Sequence, residues 1–150
     1  MKLYIDTSVL VKLYYPEPLS RRAEELLKNL KQPLLFTPFH ELEITNAFAL
    51  KVFRNEISKE IFNTILEIFK EDKISGTLKV VNPDWAEVFL EALKISKLYS
   101  LQIGARSLDI IHVAAAGMLN CDTFLTNDRR QAFAAEKIGL KSIDLQYELS

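Results

Sequence analysis

The chain has 150 residues, 49% of them hydrophobic and 26% charged, which excludes a disordered polypeptide and suits one domain, 1–150, with a sizeable core. A net charge of −1 argues against a strongly basic nucleic-acid binder and leaves only a local basic patch open. The single cysteine, Cys121, excludes an internal disulfide, and the two histidines, His40 and His112, are too scattered for a His-based metal site.

Residues 2–6 read as a short buried strand that ends in a carboxylate, Asp6, followed by Thr7 and Ser8. Asp6 also interrupts the N-terminal apolar run long before a signal-peptide core could form. Ser20 to Leu30 has the pattern of an amphipathic helix, with Ala23, Leu26, Leu27 and Leu30 on one face. Leu34-Leu35-Phe36 is a second strand. Thr37-Pro38 then starts a helix, a capping hydroxyl before a proline at the first helical position, and that helix runs to about Arg54. Ser58 opens another helix to about Asp72, and the Gly76 turn leads to a strand over Leu78–Val81. Asn82-Pro83 starts a helix reaching about Tyr99, and Ser107 caps a very apolar helix to about Leu119. Thr123-Phe124-Leu125 is a strand, Asp128 to Lys137 a helix with Gly139 as its C-cap, and Ser142-Ile143 a last short strand. The longest apolar stretch, Ile110 to Leu119, falls short of the ~20 residues a membrane helix needs. A cytoplasmic protein with no membrane segment is expected.

Five short strands alternate with helices, and the strands are apolar without clean alternation. That pattern predicts an α/β fold with a parallel sheet covered on both faces. Ligands of such sheets bind outside the carboxyl ends of the strands. Asp6 lies at one such end, and Thr126-Asn127-Asp128 follows another.

Two further acids stand out. At roughly 100° per residue, Glu43 shares the inward stripe of its helix with Phe39, Asn46, Ala47 and Leu50, whereas Glu41 points to the wetter side. Asp109 lies in the first turn of the most apolar helix, where the dipole and free N–H groups favour an anion. Each acid has a plainer reading: Asp6 and Asp128 as helix caps, Glu43 as an edge residue reaching solvent or a basic partner, Asp109 as a first-turn acid. His112 reads as a packing residue and Asp122 as a turn residue, while Asp144 and Glu148 have no special placement. Asp6, Glu43, Asp109 and Asp128 brought together would repel unless some were protonated or cations filled the space between them. All-oxygen donors suit Mg²⁺ or Mn²⁺, and two such ions clamp a phosphodiester for in-line attack by water.

These same stretches carry a family resemblance. YIDTSVLVKLYYPEP, ELEITNAFALKVFRNEIS, SLDIIHVAAA and FLTNDRRQAFAAEKIGLKSIDL resemble, in order, the four motifs of PIN-domain ribonucleases of the VapC toxin type. The resemblance implies a three-layer α/β/α fold with a parallel five-stranded sheet of order 3-2-1-4-5. It also implies Mg²⁺- or Mn²⁺-dependent endonuclease action on RNA that leaves a 5′-phosphate and a 3′-hydroxyl. Asp6, Glu43, Asp109 and Asp128 would be the catalytic, metal-holding acids, with Thr7, Asn46 and Thr126 in support. Arg129 and Arg130 are the best placed of the phosphate-contact candidates, which also include Lys12, Arg21, Arg22, Lys51, Arg54 and Arg106. A homodimer held inactive by a small antitoxin protein is implied as well, and Tyr14, Tyr15, Phe48 and Phe53 are apolar surplus that could meet a partner. The competing readings are a PIN-like module that binds RNA or protein without cutting, and a structure-specific DNA nuclease.

Overall fold

The structure, a computed structural model, describes residues 1–147; Glu148 lies outside them. Five strands and eight α-helices alternate among the described residues. The strands are β1 (Leu3–Ile5), β2 (Leu34–Phe36), β3 (Leu78–Val80), β4 (Thr123–Thr126) and β5 (Lys141–Asp144). The helices are α1 (Thr7–Tyr14), α2 (Ser20–Leu27), α3 (Pro38–Phe53), α4 (Lys59–Ser75), α5 (Trp85–Ile95), α6 (Leu101–Ile103), α7 (Ser107–Met118) and α8 (Arg129–Lys137).

All strand pairings are parallel, as expected. Of the expected order 3-2-1-4-5, the neighbours 3-2 and 1-4-5 are paired, as the separate sheets β2-β3 and β1-β4-β5; among the described residues no single five-stranded ladder forms. Strands of three or four residues offer few ladder hydrogen bonds each, so the sheet is short wherever it forms. The chain divides into two compact units, one made of Met1–Val9 with the chain from Asn82 onward, the other of Leu10–Val81.

In the first unit β1 and β4 are buried along their whole length, the signature of strands covered on both faces. Tyr4 stacks on its register partner Phe124, with ring centroids 5.4 Å apart. Helix α8 packs on β4 and β5, and α7 packs on α5 and α8. Helix α7 is buried along Ile110, His112 and Val113 to Ala116, which fits its nearly unbroken apolar sequence.

In the second unit α4 packs on β3 and α3. Its core is aromatic: the Phe69 ring lies 6.5 Å from Phe36 and 6.3 Å from Phe48, and Tyr14 meets Phe69 edge-on at 4.4 Å. Tyr15 lies edge-on to Phe48. The supposed surplus is therefore mostly core. Only Phe53 stands out, 82% exposed.

Caps explain most helix boundaries. Thr37 and His40 form a reciprocal capping box at the start of α3, with Pro38 in its first turn. Ser58 caps α4, which ends at Gly76 in the left-handed region (φ +83°) where a side chain would be strained. Three expectations are corrected. Helix α5 is capped by Asp84, not Asn82, because Asn82 accepts the indole N–H of Trp85 instead. Ser107 is the first residue of α7, whose N-cap Arg106 makes no side-chain cap bond. The stretch after α5 does not stop near Tyr99 but passes through a π-turn, Ser96–Ser100, into α6. Helix α1 was not foreseen; its β-branched Val9 and Val11 disfavour helix, yet Val9, Leu10 and Val11 are all buried, and packing overrides propensity.

Candidate active site

Asp6 follows the last residue of β1, and its backbone N–H still joins the sheet by donating to the Leu125 carbonyl. The residue is only 5% exposed. Its Oδ2 accepts from the Ser8 backbone N–H and hydroxyl, so it does cap α1. Its Oδ1 accepts from the side-chain amide of Gln131 at 3.2 Å and lies 3.7 Å from Nε2 of His112. The capping and site readings of Asp6 thus use different oxygens of one carboxylate.

His112 is fully buried in α7. Its ring is hydrogen-bonded to the Tyr4 hydroxyl through Nδ1 (2.7 Å) and to Thr7 Oγ1 through Nε2 (3.2 Å). It ties β1, α1 and α7 together beneath Asp6, a packing residue whose ring nitrogens are both satisfied.

Asp128 is the N-cap of α8. One oxygen accepts from the backbone N–H groups of Arg130 and Gln131, and its own N–H donates to Thr126 Oγ1. The other oxygen, Oδ2, lies 3.9 Å from the Arg106 guanidinium. Asp109 stands in the first turn of α7, where its Oδ2 accepts from Arg106 Nε at 3.1 Å. Burial raises the Asp109 pKa, the Arg106 hydrogen bond lowers it, and the fields of Asp6 and Asp128 raise it again; the net shift is upward. Asp109 hydrogen-bonding and attraction, with smaller contributions from Asp128 and Asp6, raise the Arg106 pKa in turn.

Asp6, Asp109 and Asp128 therefore share one electrostatic neighbourhood at the carboxyl-end rim of the β1-β4-β5 sheet, and Arg106 is the cation facing all three. Arg106, 76% exposed along its side chain, sits where a counter-ion is needed. Glu43 belongs to the second unit, half-buried in α3, and Asn46 one turn on is exposed. Thr7 and Thr126 are buried, the first on His112 and the second donating to Gln131 Oε1 at 2.5 Å. Among the described residues no group of three or more His, Cys, Asp or Glu side chains is closed up enough to hold a metal ion as it stands. The donor chemistry nevertheless fits a hard cation: the acids supply only oxygens, and Asp109 is an anion whose charge burial and two neighbouring carboxylates oppose.

The phosphate-contact candidates separate sharply. Lys12 and Lys51 both pair with Glu17, and Lys51 also lies 3.5 Å from Glu56. Arg21 pairs with Glu25, and the Arg22 Nε is buried with no partner among the described residues. The Arg130 backbone N–H donates to the capping Asp128, and its guanidinium donates to the Gly104 carbonyl at 3.4 Å. Arg129 stacks its guanidinium against Phe133 and Tyr147, at 5.1 and 4.5 Å from the ring centroids. Asp144, given no role from sequence, ends β5 in register with Thr126, with one oxygen accepting from Gln146.

Sequence reasoning missed Gln131, which is 0% exposed and touches both Asp6 and Asp109. The signal was a polar amide on the inward stripe of α8, among the buried Ala132, Ala134 and Ala135.

The PIN-domain family model matches residues 3–137. No curated protein matches the chain. The fold is similar to a crystal structure of FitAcB from Neisseria gonorrhoeae (TM-score 0.73, 19% identity, covering 97% of this chain and 99% of that one). It is also similar to a structure of FitAB bound to an IR36 DNA fragment (TM-score 0.65, 18% identity, covering 99% and 98%). With four motifs in family order, a parallel α/β fold and a family model spanning most of its length, the chain belongs to the PIN-domain family.

Proposed function

We propose that the protein is a Mg²⁺- or Mn²⁺-dependent endoribonuclease of the VapC type, acting in the cytoplasm as a homodimer and restrained by a small antitoxin protein, with its two compact units working as one PIN domain. The observation that carries this reading is the meeting of Asp6, Asp109 and Asp128, from three separate segments, at the rim of one parallel sheet with a single exposed arginine between them. A purely structural role gives little reason to bury Asp109 beside two further carboxylates, where its ionisation is opposed. The family match supports nuclease chemistry, while the RNA substrate, antitoxin and dimer rest on the family resemblance.

Asp6, Asp109 and Asp128 would hold the cation, with Glu43 as the fourth acid and Thr7, Asn46 and Thr126 in support. The bound cation supplies charge neutralisation and polarisation for phosphoryl transfer. In the hydrolysis itself a water oxygen forms a bond to phosphorus and the P–O3′ bond breaks. The proton lost from the water is matched by the one gained at the 3′ oxygen, leaving a 5′-phosphate and a 3′-hydroxyl. The protein's own groups orient this chemistry. Ser8 and Gln131 hold the two oxygens of Asp6 in fixed directions. Arg106 partly neutralises Asp109 and Asp128, and its exposed side chain has room to turn outward to the phosphate backbone.

A second reading is a PIN-like module that binds RNA or protein without cutting, in which the Arg106 pairs with Asp109 and Asp128 are the resting state of the site. Incubating the purified chain with cellular RNA and, separately, with DNA oligomers, in Mg²⁺, Mn²⁺ or chelator, decides between them. The nuclease reading expects new RNA ends bearing 5′-phosphates, formed only with metal. RNA bound but intact under every condition supports the binding module, and cleavage confined to DNA overturns the choice of substrate.

A further inference from the structure

Gln131 joins more of the site than any of the acids does. Its position in α8 is fully buried among alanines, where a glutamine has no packing advantage over leucine or methionine and must find partners for all its polar atoms. It finds four. The amide nitrogen donates to Asp6 Oδ1 at 3.2 Å and to the backbone carbonyl of Asp109 at 3.1 Å. The amide oxygen accepts from Thr126 Oγ1, and the Gln131 backbone N–H donates to Asp128 Oδ1.

The bonds have a direction. Thr126 Oγ1 accepts the Asp128 N–H, so its hydroxyl proton is free to donate to Gln131 Oε1, and this in turn points the amide N–H₂ toward Asp6 and Asp109. One side chain therefore links the end of β1, the first turn of α7 and the end of β4, the segments that carry Asp6, Asp109 and Thr126, while the backbone N–H of the same residue reaches Asp128 at the cap of α8. Neither hydrophobic burial nor the acids themselves could set these distances, since three carboxylates left alone push apart.

We infer that Gln131 is the positioning residue of the acid site: a neutral clamp that fixes the Asp6 carboxylate and holds the Asp109-bearing turn against β4, so that the oxygens face one another before a cation arrives. Groups behind metal-holding side chains commonly change metal affinity or activity by about 10–100-fold when removed. The inference rests on the divalent-cation reading of the site for its consequence, but not for its geometry.

The test uses the full chain and Gln131→Met, which keeps volume and removes the clamp. In crystal structures of both, the inference expects the Asp6 carboxylate of the variant to leave its wild-type rotamer and the Asp109 turn to move away from Thr126. Superposable Asp6 and Asp109 overturn it, whether or not metal binds. Calorimetry with Mn²⁺ is expected to show affinity lowered by ~10–100-fold, and saturating Mn²⁺ is expected to restore much of the lost RNA cleavage, which it would not do for a merely loosened fold. Unchanged Mn²⁺ affinity overturns the inference. A wild-type chain that binds no Mn²⁺ defeats the cation reading instead, and the crystal comparison still decides Gln131. Should Gln131→Met fail to fold, Thr126→Val cuts the same chain of bonds one link earlier and must loosen Asp6 in the same way; an undisturbed Asp6 in that variant overturns the inference.

Discussion

The two compact units treat charge in opposite ways. In the unit built from residues 10–81 several charged and polar groups are paired within the unit: Glu17 takes both Lys12 and Lys51, Glu41 takes Lys73, and the Tyr14 hydroxyl donates to Asp72 at 2.6 Å. Burial, then the Asp72 hydrogen bond and charge, push the Tyr14 phenol far above its usual range, so it stays a neutral donor. In the other unit three carboxylates share one exposed arginine and are otherwise steadied by neutral donors: Ser8, Gln131 and backbone N–H groups. Matched charges behind an aromatic core serve stability. Three acids that share one cation and lean on neutral donors suit the positively charged ligand proposed above.

Breaking the contrast at its functional end has the largest expected effect. Asp6→Asn keeps shape and removes charge, and RNA cleavage is expected to fall by roughly a thousandfold, the loss of several kcal/mol of transition-state stabilisation that a held cation supplies. A rate within tenfold of wild type, measured under single-turnover conditions, would refute the role given to Asp6. At the structural end, Phe48→Ala removes a fully buried ring from the aromatic core and is expected to cost about 3–5 kcal/mol in urea unfolding. A cost below 1 kcal/mol would show that the core of that unit lies elsewhere.

Asp109 sharpens the contrast through pH. Its folded pKa is raised above the ordinary 3.8, so the folded chain takes up this proton before the unfolded chain does. This group's contribution therefore makes metal-free protein more stable as pH falls into the window between the folded value and 3.8, and less stable as pH rises through it. Asp109→Asn is accordingly expected to melt at or above the wild-type temperature at neutral pH without metal. A clearly lower midpoint would mean that the Arg106 pair outweighs the repulsion. The smallest effect belongs to Arg106→Ala. An exposed ion pair is worth ~0.2–1 kcal/mol, so removing this competitor should raise Mn²⁺ affinity by no more than about fivefold, and a fall would assign Arg106 to holding the site open instead.

Much of this was legible in the residues themselves. Short apolar strands between amphipathic helices were readable because burial on both faces of a parallel sheet leaves runs rather than alternation, as in β1 and β4. The capping hydroxyl of Thr37 and the carboxylate of Asp128 were readable because caps are local. Helix α1 was not, since Val9 and Val11 point away from helix and only burial makes one there. Gln131 and His112 were not, because their partners lie 125 and 108 positions away in Asp6 and Tyr4, and no local pattern announces such a bond. Lys12 and Lys51 looked like free cations until folding placed Glu17 beside both.

The central claim is that the acids of the first unit exist to take a divalent cation, and calorimetric titration of the full chain with Mn²⁺ tests it most directly. The account predicts a binding isotherm that Asp6→Asn and Asp109→Asn each abolish and that Glu17→Gln, in the charge-matched unit, leaves unchanged. A featureless titration of the wild-type chain, or binding that survives loss of the Asp6 charge, would contradict it.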